Sequence, residues 1–163
     1  MSYPHEFISV FARNCEVRPI SKEVAQCFME ANHRFGWSKC RYCYGLFIKR
    51  ADKSGFGEGE MVAASCFSNA RRWTKGESVI SSYEWVRCAS LRGVRVSGGM
   101  GKMLKHFIKE VKPDDIMTYA PLTDSPGEEQ EGDVYLKLHF KEEGIKEFPD
   151  GKSMKFRLKL KDY

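Results

Sequence analysis

A glycine-dense segment near the middle of the chain is the first place where residue types and spacing indicate chemistry. The segment Ser97-Gly-Gly-Met-Gly-Lys102 has three glycines within four residues and runs directly into a predicted helix. Glycine lets the backbone approach a ligand closely. The first N–H groups of a helix, together with its dipole, favour an anion such as phosphate. The sequence therefore predicts an anion-binding turn.

Two common nucleotide-binding motifs do not fit this segment. A Walker A loop requires a glycine where Val96 stands and a serine or threonine where Met103 stands. A dinucleotide fingerprint requires its third glycine at Leu104. A purely structural turn stays open as the simpler alternative, but the long apolar stripe that follows favours phosphate binding.

The cysteines offer a second kind of chemistry. Cys40-Arg-Tyr-Cys43 has the spacing of a metal knuckle, but no second pair follows, and His33 and Cys27 are the nearest further donors. Four of the six cysteines lie in apolar runs, where a free thiol behaves as a small hydrophobe. We therefore expect reduced packing thiols and no metal, with structural zinc as the minority alternative.

Composition limits the classes of protein that remain. The 163 residues are 42% hydrophobic, which predicts one domain over 1–163, with 1–14 as an N-terminal arm. The net charge of +5 suits an anionic ligand but is far from a polybasic tail. No apolar run approaches the ~20 residues of a membrane span, and the N-terminus lacks the pattern of a signal peptide. A cytoplasmic protein without a membrane partner is expected.

The elements that position these residues follow from hydrophobic periodicity. The predicted order is β-α-β-β-β-α-β-α-β-β, a mixed α/β (α+β) arrangement. Ser21 is the predicted N-cap of the first helix, and Pro113 ends the second. Strands are predicted over 15–20, 42–49, 60–69, 81–91, 115–119, 143–148 and 153–160, and helices over 21–36, 100–111 and 133–138.

The glycine segment, extended to Leu104, resembles the acyl-CoA-binding loop of the Gcn5-related N-acetyltransferase (GNAT) superfamily, whose pattern is Gln/Arg-x-x-Gly-x-Gly/Ala. Val17-Arg-Pro-Ile-Ser-Lys-Glu23 looks like the first strand and turn of that family. Gly132-Asp-Val-Tyr-Leu-Lys-Leu-His-Phe140 is similar to its late Tyr-x-x-x-Gly-Phe segment. The resemblance covers roughly residues 15–160. It implies the GNAT acyl-CoA N-acyltransferase fold, a mixed and mostly antiparallel sheet with flanking helices.

Two departures from the family pattern stand out. Val96 occupies the Gln/Arg position when Gly99 and Gly101 are taken as the motif glycines, and the frame that restores Arg95 puts Met100 last. His139 replaces the family glycine before the phenylalanine. With Asn32-His-Arg-Phe-Gly36 and Glu84-Trp-Val-Arg87, these departures resemble the divergent phage-type branch that includes the Mom proteins, which modify adenine in DNA.

The resemblance implies transfer of an acetyl or related acyl group from acyl-CoA to a primary amine by direct attack. Acetyl-CoA would be the cosubstrate, with backbone N–H groups, the Ser97 hydroxyl and the Lys102 ammonium holding its pyrophosphate. The expected cofactor-binding residues are Val94, Arg95, Val96, Ser97, Gly98, Gly99, Met100, Gly101 and Lys102.

Three catalytic candidates follow from the same resemblance. Tyr135 occupies the position of the acid that protonates the departing thiolate. Glu84 is the leading general base, with an ion pair to Lys or Arg as its equally weighted alternative. His33 is a weaker candidate for the base, and its more ordinary role is to cap a helix end.

The partner is expected to be a small-molecule or macromolecular amine, and the protein a monomer or homodimer. Two alternatives stay open: an enzyme of the same fold that modifies a base in DNA or RNA, and a non-catalytic module that binds nucleic acid or zinc. Trp37, Tyr42 and Tyr44 could stack on bases beside Lys39 and Arg41. Core packing is the more common role of such rings.

Overall fold

The computed structural model describes residues 7–123 and 131–163. These residues divide into two compact units, 7–69 with 85–112, and 70–84 with 113–123 and 131–163. The elements are β1 Ile8–Phe11, a 3-10 turn Ala12–Asn14, β2 Cys15–Pro19, α1 Lys22–Asn32, β3 Tyr42–Ile48, β4 Met61–Phe67, β5 Arg71–Lys75, β6 Ser78–Ser90, β7 Val94–Ser97, α2 Gly99–Val111, β8 Asp115–Pro121, α3 Asp133–Lys137, β9 Lys141–Phe148 and β10 Gly151–Lys159.

The predicted mixed α/β class and the mostly antiparallel pairing are confirmed, and three strands are additional. β5 escapes prediction because all of its residues are exposed, so it carries no alternating apolar pattern. β1 was predicted as part of an arm, and β7 as part of a loop. Each is four residues long, and they pair with each other in parallel. Residues 1–6 of the predicted arm and 124–130 of the predicted acidic loop lie outside the described residues.

In the first unit, β2, β3, β4 and the second half of β6 pair in antiparallel order. Side chains alternate across a strand, so β3 presents different residues to two helices. Cys43 packs in a cluster with Phe28 and Met29 of α1, whereas Leu46 packs with Met103 of α2. The predicted N-cap is confirmed, because the Ser21 hydroxyl accepts a hydrogen bond from the backbone N–H of Val24 at 3.1 Å.

Aromatic stacking holds α2 on this sheet. The ring of Phe107 lies parallel to that of Phe67, with 3.8 Å between centroids, and Phe67 stacks in turn on Trp85 at 5.4 Å. Phe107 and Phe67 are fully buried. The apolar stripe predicted for this helix is therefore the face that it buries.

In the second unit, β8 pairs with the first half of β6 and with β10, and β10 pairs with β9. A buried polar network links these strands. Asp115, which is fully buried, binds the guanidinium of Arg157 at 2.6 Å and accepts from the Ser82 hydroxyl at 2.8 Å. Arg157 also binds Glu143 at 2.8 Å, and the Tyr163 hydroxyl donates to Asp115. The carboxylate therefore has several partners, as a buried charge requires.

None of the helices in the described residues is both long enough and apolar enough to cross a membrane.

Removing Arg157 leaves the buried Asp115 carboxylate without its countercharge. We expect Arg157→Ala to lower the free energy of unfolding by ~3–5 kcal/mol, the usual cost of breaking a buried pair. Lys152→Ala, which removes an exposed ion pair with Glu147, is the matched control and should cost less than ~1 kcal/mol. Urea unfolding followed by circular dichroism measures both. Equal losses in the two variants would contradict the importance of the network.

Candidate functional site

The turn between β7 and α2 needs its two consecutive glycines for different reasons. Gly98 has φ +78°, the left-handed conformation that side chains rarely adopt. Gly99 has an ordinary φ but no room, since a Cβ there would lie 2.9 Å from Cγ1 of Val96 and 3.3 Å from Cδ2 of Leu46. The two glycines therefore let the helix begin directly against β3.

The first turn of α2 has the electrostatics of an anion site. The first intrahelical hydrogen bond runs from the N–H of Lys102 to the carbonyl of Gly98 at 3.0 Å. The N–H groups that precede it have no partner within the helix. The helix is 13 residues long and carries no acidic residue in its first turn. Its N-terminal partial positive charge is therefore not neutralised by a side chain of that turn.

A cleft of about 380 Å³ lies beside this turn within the first unit. We call it the β7–α2 cleft. Five of the nine predicted cofactor-binding residues line the cleft. The other four, Ser97, Gly98, Gly101 and Lys102, are not among its lining residues. The lining residues are Phe7, Ala63, Cys88, Ala89, Ser90, Val94, Arg95, Val96, Gly99, Met100 and Met103.

Small residues on two paired strands leave the space for this cleft, and the sequence analysis missed them. Ala63 of β4 pairs with Ser90 of β6, and Ala89 follows in the next pair of the ladder. The sequence does contain runs of small residues in these two predicted strands. They indicate a cleft only once the register of β4 against β6 places the two runs side by side.

Lys102 does not extend from the turn as expected. Its ammonium donates to the carbonyl oxygens of Ala12 at 2.8 Å and Cys15 at 2.6 Å. Two buried acceptors therefore hold the cation against the 3-10 turn that precedes β2. The ammonium thus links α2 to the N-terminal part of the unit, and its expected role on a pyrophosphate stays a prediction.

Cys88 is a thiol within the cleft that the sequence analysis did not assign to the site. Burial raises the pKa of this thiol to about 11, and the Ser65 hydroxyl donates to its sulfur at 3.1 Å. A thiol with this pKa is protonated at neutral pH. It is therefore a poor nucleophile, since the thiolate is the reactive form.

Glu84 lies on the first half of β6, in the second unit, opposite Met117 of β8. Its carboxylate is partly buried and lies 3.7 Å from the guanidinium of Arg71 on β5. The ion pair weighed as the alternative to a catalytic role is therefore present. The base role expected for this carboxylate stays a prediction.

His33 is the C-cap of α1, and its backbone N–H donates to the carbonyl of Met29. Its Nδ1 accepts a hydrogen bond from the N–H of Phe35 at 3.0 Å. Burial, followed by the nearby charges of Arg87 and Arg34, lowers the pKa of His33 to about 4. An imidazole this acidic is a weak base, so the capping role fits it better than proton abstraction.

Tyr135 lies on α3 in the second unit. Its ring packs against Phe140 and Phe156, with centroid separations of 5.6 and 5.5 Å. His139, which replaces the family glycine, has φ +73°. The backbone keeps the left-handed conformation that glycine adopts readily, and histidine is among the side chains that tolerate it. Histidine therefore occupies a left-handed position here without requiring glycine.

Three buried cysteines converge elsewhere in the first unit. Cys40, Cys43 and Cys66 have their sulfur atoms within 4.8 Å of one another, and Cys40 and Cys43 are 3.3 Å apart. We call them the thiol cluster. The thiols of Cys40 and Cys66 lower the pKa of Cys43 by hydrogen bonding to its sulfur. The third member is Cys66, not Cys27 or His33, the further donors that spacing had suggested.

Searches against known proteins identify the fold. The chain is similar to the ribosomal-protein-S18-alanine N-acetyltransferase from Escherichia coli, with a TM-score of 0.58 and 13% identity over 91% of this chain and 96% of that one. It is similar to Arabidopsis thaliana NAA60 in complex with acetyl-CoA, with a TM-score of 0.61 and 9% identity over 90% and 99% of the chains. It is also similar to spermidine/spermine N-acetyltransferase SpeG from Vibrio cholerae, with a TM-score of 0.58 and 8% identity over 91% of this chain and 94% of that one.

The chain therefore has the GNAT fold that its sequence predicted. No protein-family model matches the sequence. A search of curated proteins also found no match.

The lowered pKa of His33 makes the stability of the protein depend on pH. The unfolded chain takes up a proton near pH 6.5, and the folded protein only near pH 4, so stability is lost as the pH falls between these values. Urea unfolding at pH 7 and pH 5 should show a smaller loss in His33→Gln than in the wild type. Equal pH dependence in the two proteins would contradict the burial of a neutral imidazole.

Proposed function

We propose that this protein is an acyl-CoA-dependent N-acyltransferase that moves an acetyl or related acyl group to a primary amine by direct attack. The observation that carries the proposal is the β7–α2 cleft, which runs beside a glycine turn at the N-terminus of a long helix. The GNAT fold supports it, since the similar structure of NAA60 holds acetyl-CoA.

The cleft and the turn suit different parts of acyl-CoA. The backbone N–H groups from Gly99 to Gly101 at the start of α2 would bind the pyrophosphate. The cleft walls are mostly apolar and small, which fits a narrow, uncharged pantetheine chain. Arg95 lies at the cleft with its guanidinium 4.7 Å from the ring of Phe7, and it supplies a further positive charge for an anionic cosubstrate.

Direct attack by the amine agrees with the chemistry of the cleft. The only thiol that lines it within the described residues, Cys88, is held protonated by burial. An acyl-enzyme intermediate on this residue would need the thiolate. We therefore assign bond formation to the amine nitrogen and bond cleavage to the carbon–sulfur bond of the thioester, with the proton balance closed by an acid and a base.

We assign the acid role to Tyr135 and the base role to Glu84. A phenol can protonate the departing CoA thiolate, and a carboxylate can accept the proton of the attacking amine directly or through water. The pKa of about 4 makes His33 the less suitable base. The ion pair of Glu84 with Arg71 is compatible with a catalytic role, because the two groups are 3.7 Å apart and the Arg71 side chain is largely exposed, where ion pairs are weak.

The acceptor that we propose is an amine on a small molecule or a peptide. The similar proteins named above include one that acts on a ribosomal-protein alanine and one named for spermidine and spermine. Modification of a nucleic-acid base has less support here. Tyr44 is only 5% exposed and packs on Phe107, so its ring serves the core.

A carboxylate placed in the glycine turn should exclude the pyrophosphate. We expect Gly101→Glu to abolish acetyl-CoA binding in a protein that still melts cooperatively, because its charge would stand at the anion site. Gly57→Glu is the matched control, since Gly57 lies in a hairpin loop outside the cleft, where a Cβ would meet only the Glu60 side chain, at 3.9 Å. Isothermal titration calorimetry and thermal melts measure both properties. Unchanged acetyl-CoA affinity in a folded Gly101→Glu protein would remove this turn from the site.

Tyr135→Phe keeps the ring and its packing but removes the proton that it would donate. We expect kcat to fall by ~10²–10⁴ with acetyl-CoA binding nearly unchanged. The loss should appear equally in kcat and kcat/KM, because the interaction is made in the transition state. Tyr119→Phe, a ring packed on Phe148 in the same unit, is the control and should stay active. If the kcat of Tyr135→Phe stays within about a factor of three of the wild-type value, Tyr135 is not the acid.

A further inference from the structure

We propose that the thiol cluster, Cys40, Cys43 and Cys66, is a binding site for one thiophilic metal ion, Cu⁺ or Zn²⁺. This inference is independent of the proposed acyl transfer, because none of the three cysteines lines the β7–α2 cleft. It departs from the expectation of packing thiols without a metal, which rested on spacing along the chain alone.

The three sulfur atoms are already close to the geometry that a single ion needs. A metal–sulfur bond of ~2.3 Å places two ligands of one ion roughly 4 Å apart. The sulfurs lie within 4.8 Å of one another, with 3.3 Å between those of Cys40 and Cys43. An ion at their centre therefore requires shifts of well under 1 Å, which side-chain rotation can supply.

The backbone holds the ligands in place from two directions. Cys43 and Cys66 are directly opposite each other on the antiparallel strands β3 and β4. Cys40 approaches from the connection before β3, and the N–H of Arg41 fixes that connection by donating to the carbonyl of Phe67 at 2.8 Å. Two ligands come from the sheet and the third from a tethered loop, so the site is preorganised.

Packing alone explains this arrangement poorly. Small hydrophobic thiols can be placed anywhere in a core, as Cys15 is, in a different apolar cluster. Here all three sulfurs point at one place, and the surroundings are apolar, with Ala25, Phe28 and Met29 of α1 on one side. A soft ion bound by thiolates suits such a place, because soft ligands select Cu⁺ and Zn²⁺ over hard cations.

The number of ligands favours Cu⁺ of the two ions. In the described ranges 7–123 and 131–163, no His, Asp, Glu or further Cys joins the three sulfurs within 4.8 Å. Structural zinc almost always takes four ligands. The bound ion would tie β3, β4 and the preceding connection together.

The test is a metal titration of the full-length chain, reduced and stripped of metal under anaerobic conditions. Cu⁺, delivered from a chromophoric chelator, and Zn²⁺ are titrated separately, with ultraviolet charge-transfer absorption and thermal melting as readouts. We expect one ion per chain and a higher Tm when it is bound. Cys40→Ala and Cys66→Ala should each weaken binding by more than ~100-fold, beyond the effect of residues that only orient ligands.

Cys27→Ala, which removes an exposed cysteine outside the cluster, is the control and should bind like the wild type. If Cys66→Ala fails to fold, Cys40→Ala and Cys43→Ala at the edge of the cluster provide the same comparison. The proposal is overturned if neither ion binds stoichiometrically, if binding survives unchanged in the folded cluster variants, or if it is lost in Cys27→Ala.

Discussion

The close approach of Gly99 to Leu46 and Val96 is the contact on which the chemistry of the first unit depends. With no room for a Cβ at this position, α2 can begin against β3 only if the residue there is glycine. Farther along the helix, Phe107 stacks on Phe67 and fixes the direction of its axis. The N-terminal N–H groups are therefore held beside the β7–α2 cleft. The structural interpretation of the glycine turn is therefore compatible with the anion-binding role that we propose for it.

The alternation of side chains along β3 separates two kinds of chemistry. Leu46 belongs to the face that α2 covers, next to the cleft where we place the cosubstrate. Cys43 belongs to the face that α1 covers, where the thiol cluster lies. A single strand thus packs on one side against the helix terminus that we propose to bind an anion, and carries on the other side a member of the proposed metal site. The three cysteines of the thiol cluster can for this reason be substituted without altering the residues that line the cleft.

Periodic segments were predictable from sequence, whereas relations between distant segments were not. The apolar stripe of α2 and the Ser21 cap follow from local patterns, and both are confirmed. The proximity of Cys66 to Cys43 could not be predicted, because only the register of β3 against β4 places the two residues opposite each other. The hydrogen bonds of the Lys102 ammonium could not be predicted, because its acceptors are backbone carbonyls some ninety residues earlier, which no spacing reveals. β5 carries no buried residue, so it leaves no hydrophobic pattern to detect.

The central claim is that the backbone at the start of α2 binds the phosphates of acyl-CoA. Titrating the ¹⁵N-labelled protein with acetyl-CoA, and following the amide resonances by heteronuclear NMR, tests this most directly. The account predicts saturable shifts at Gly98, Gly99 and Gly101, with residues of the β7–α2 cleft following the same binding curve, while Gly144 of β9 stays unchanged. Saturable binding that leaves the amides of residues 98–101 unperturbed, or no binding at all, would contradict it.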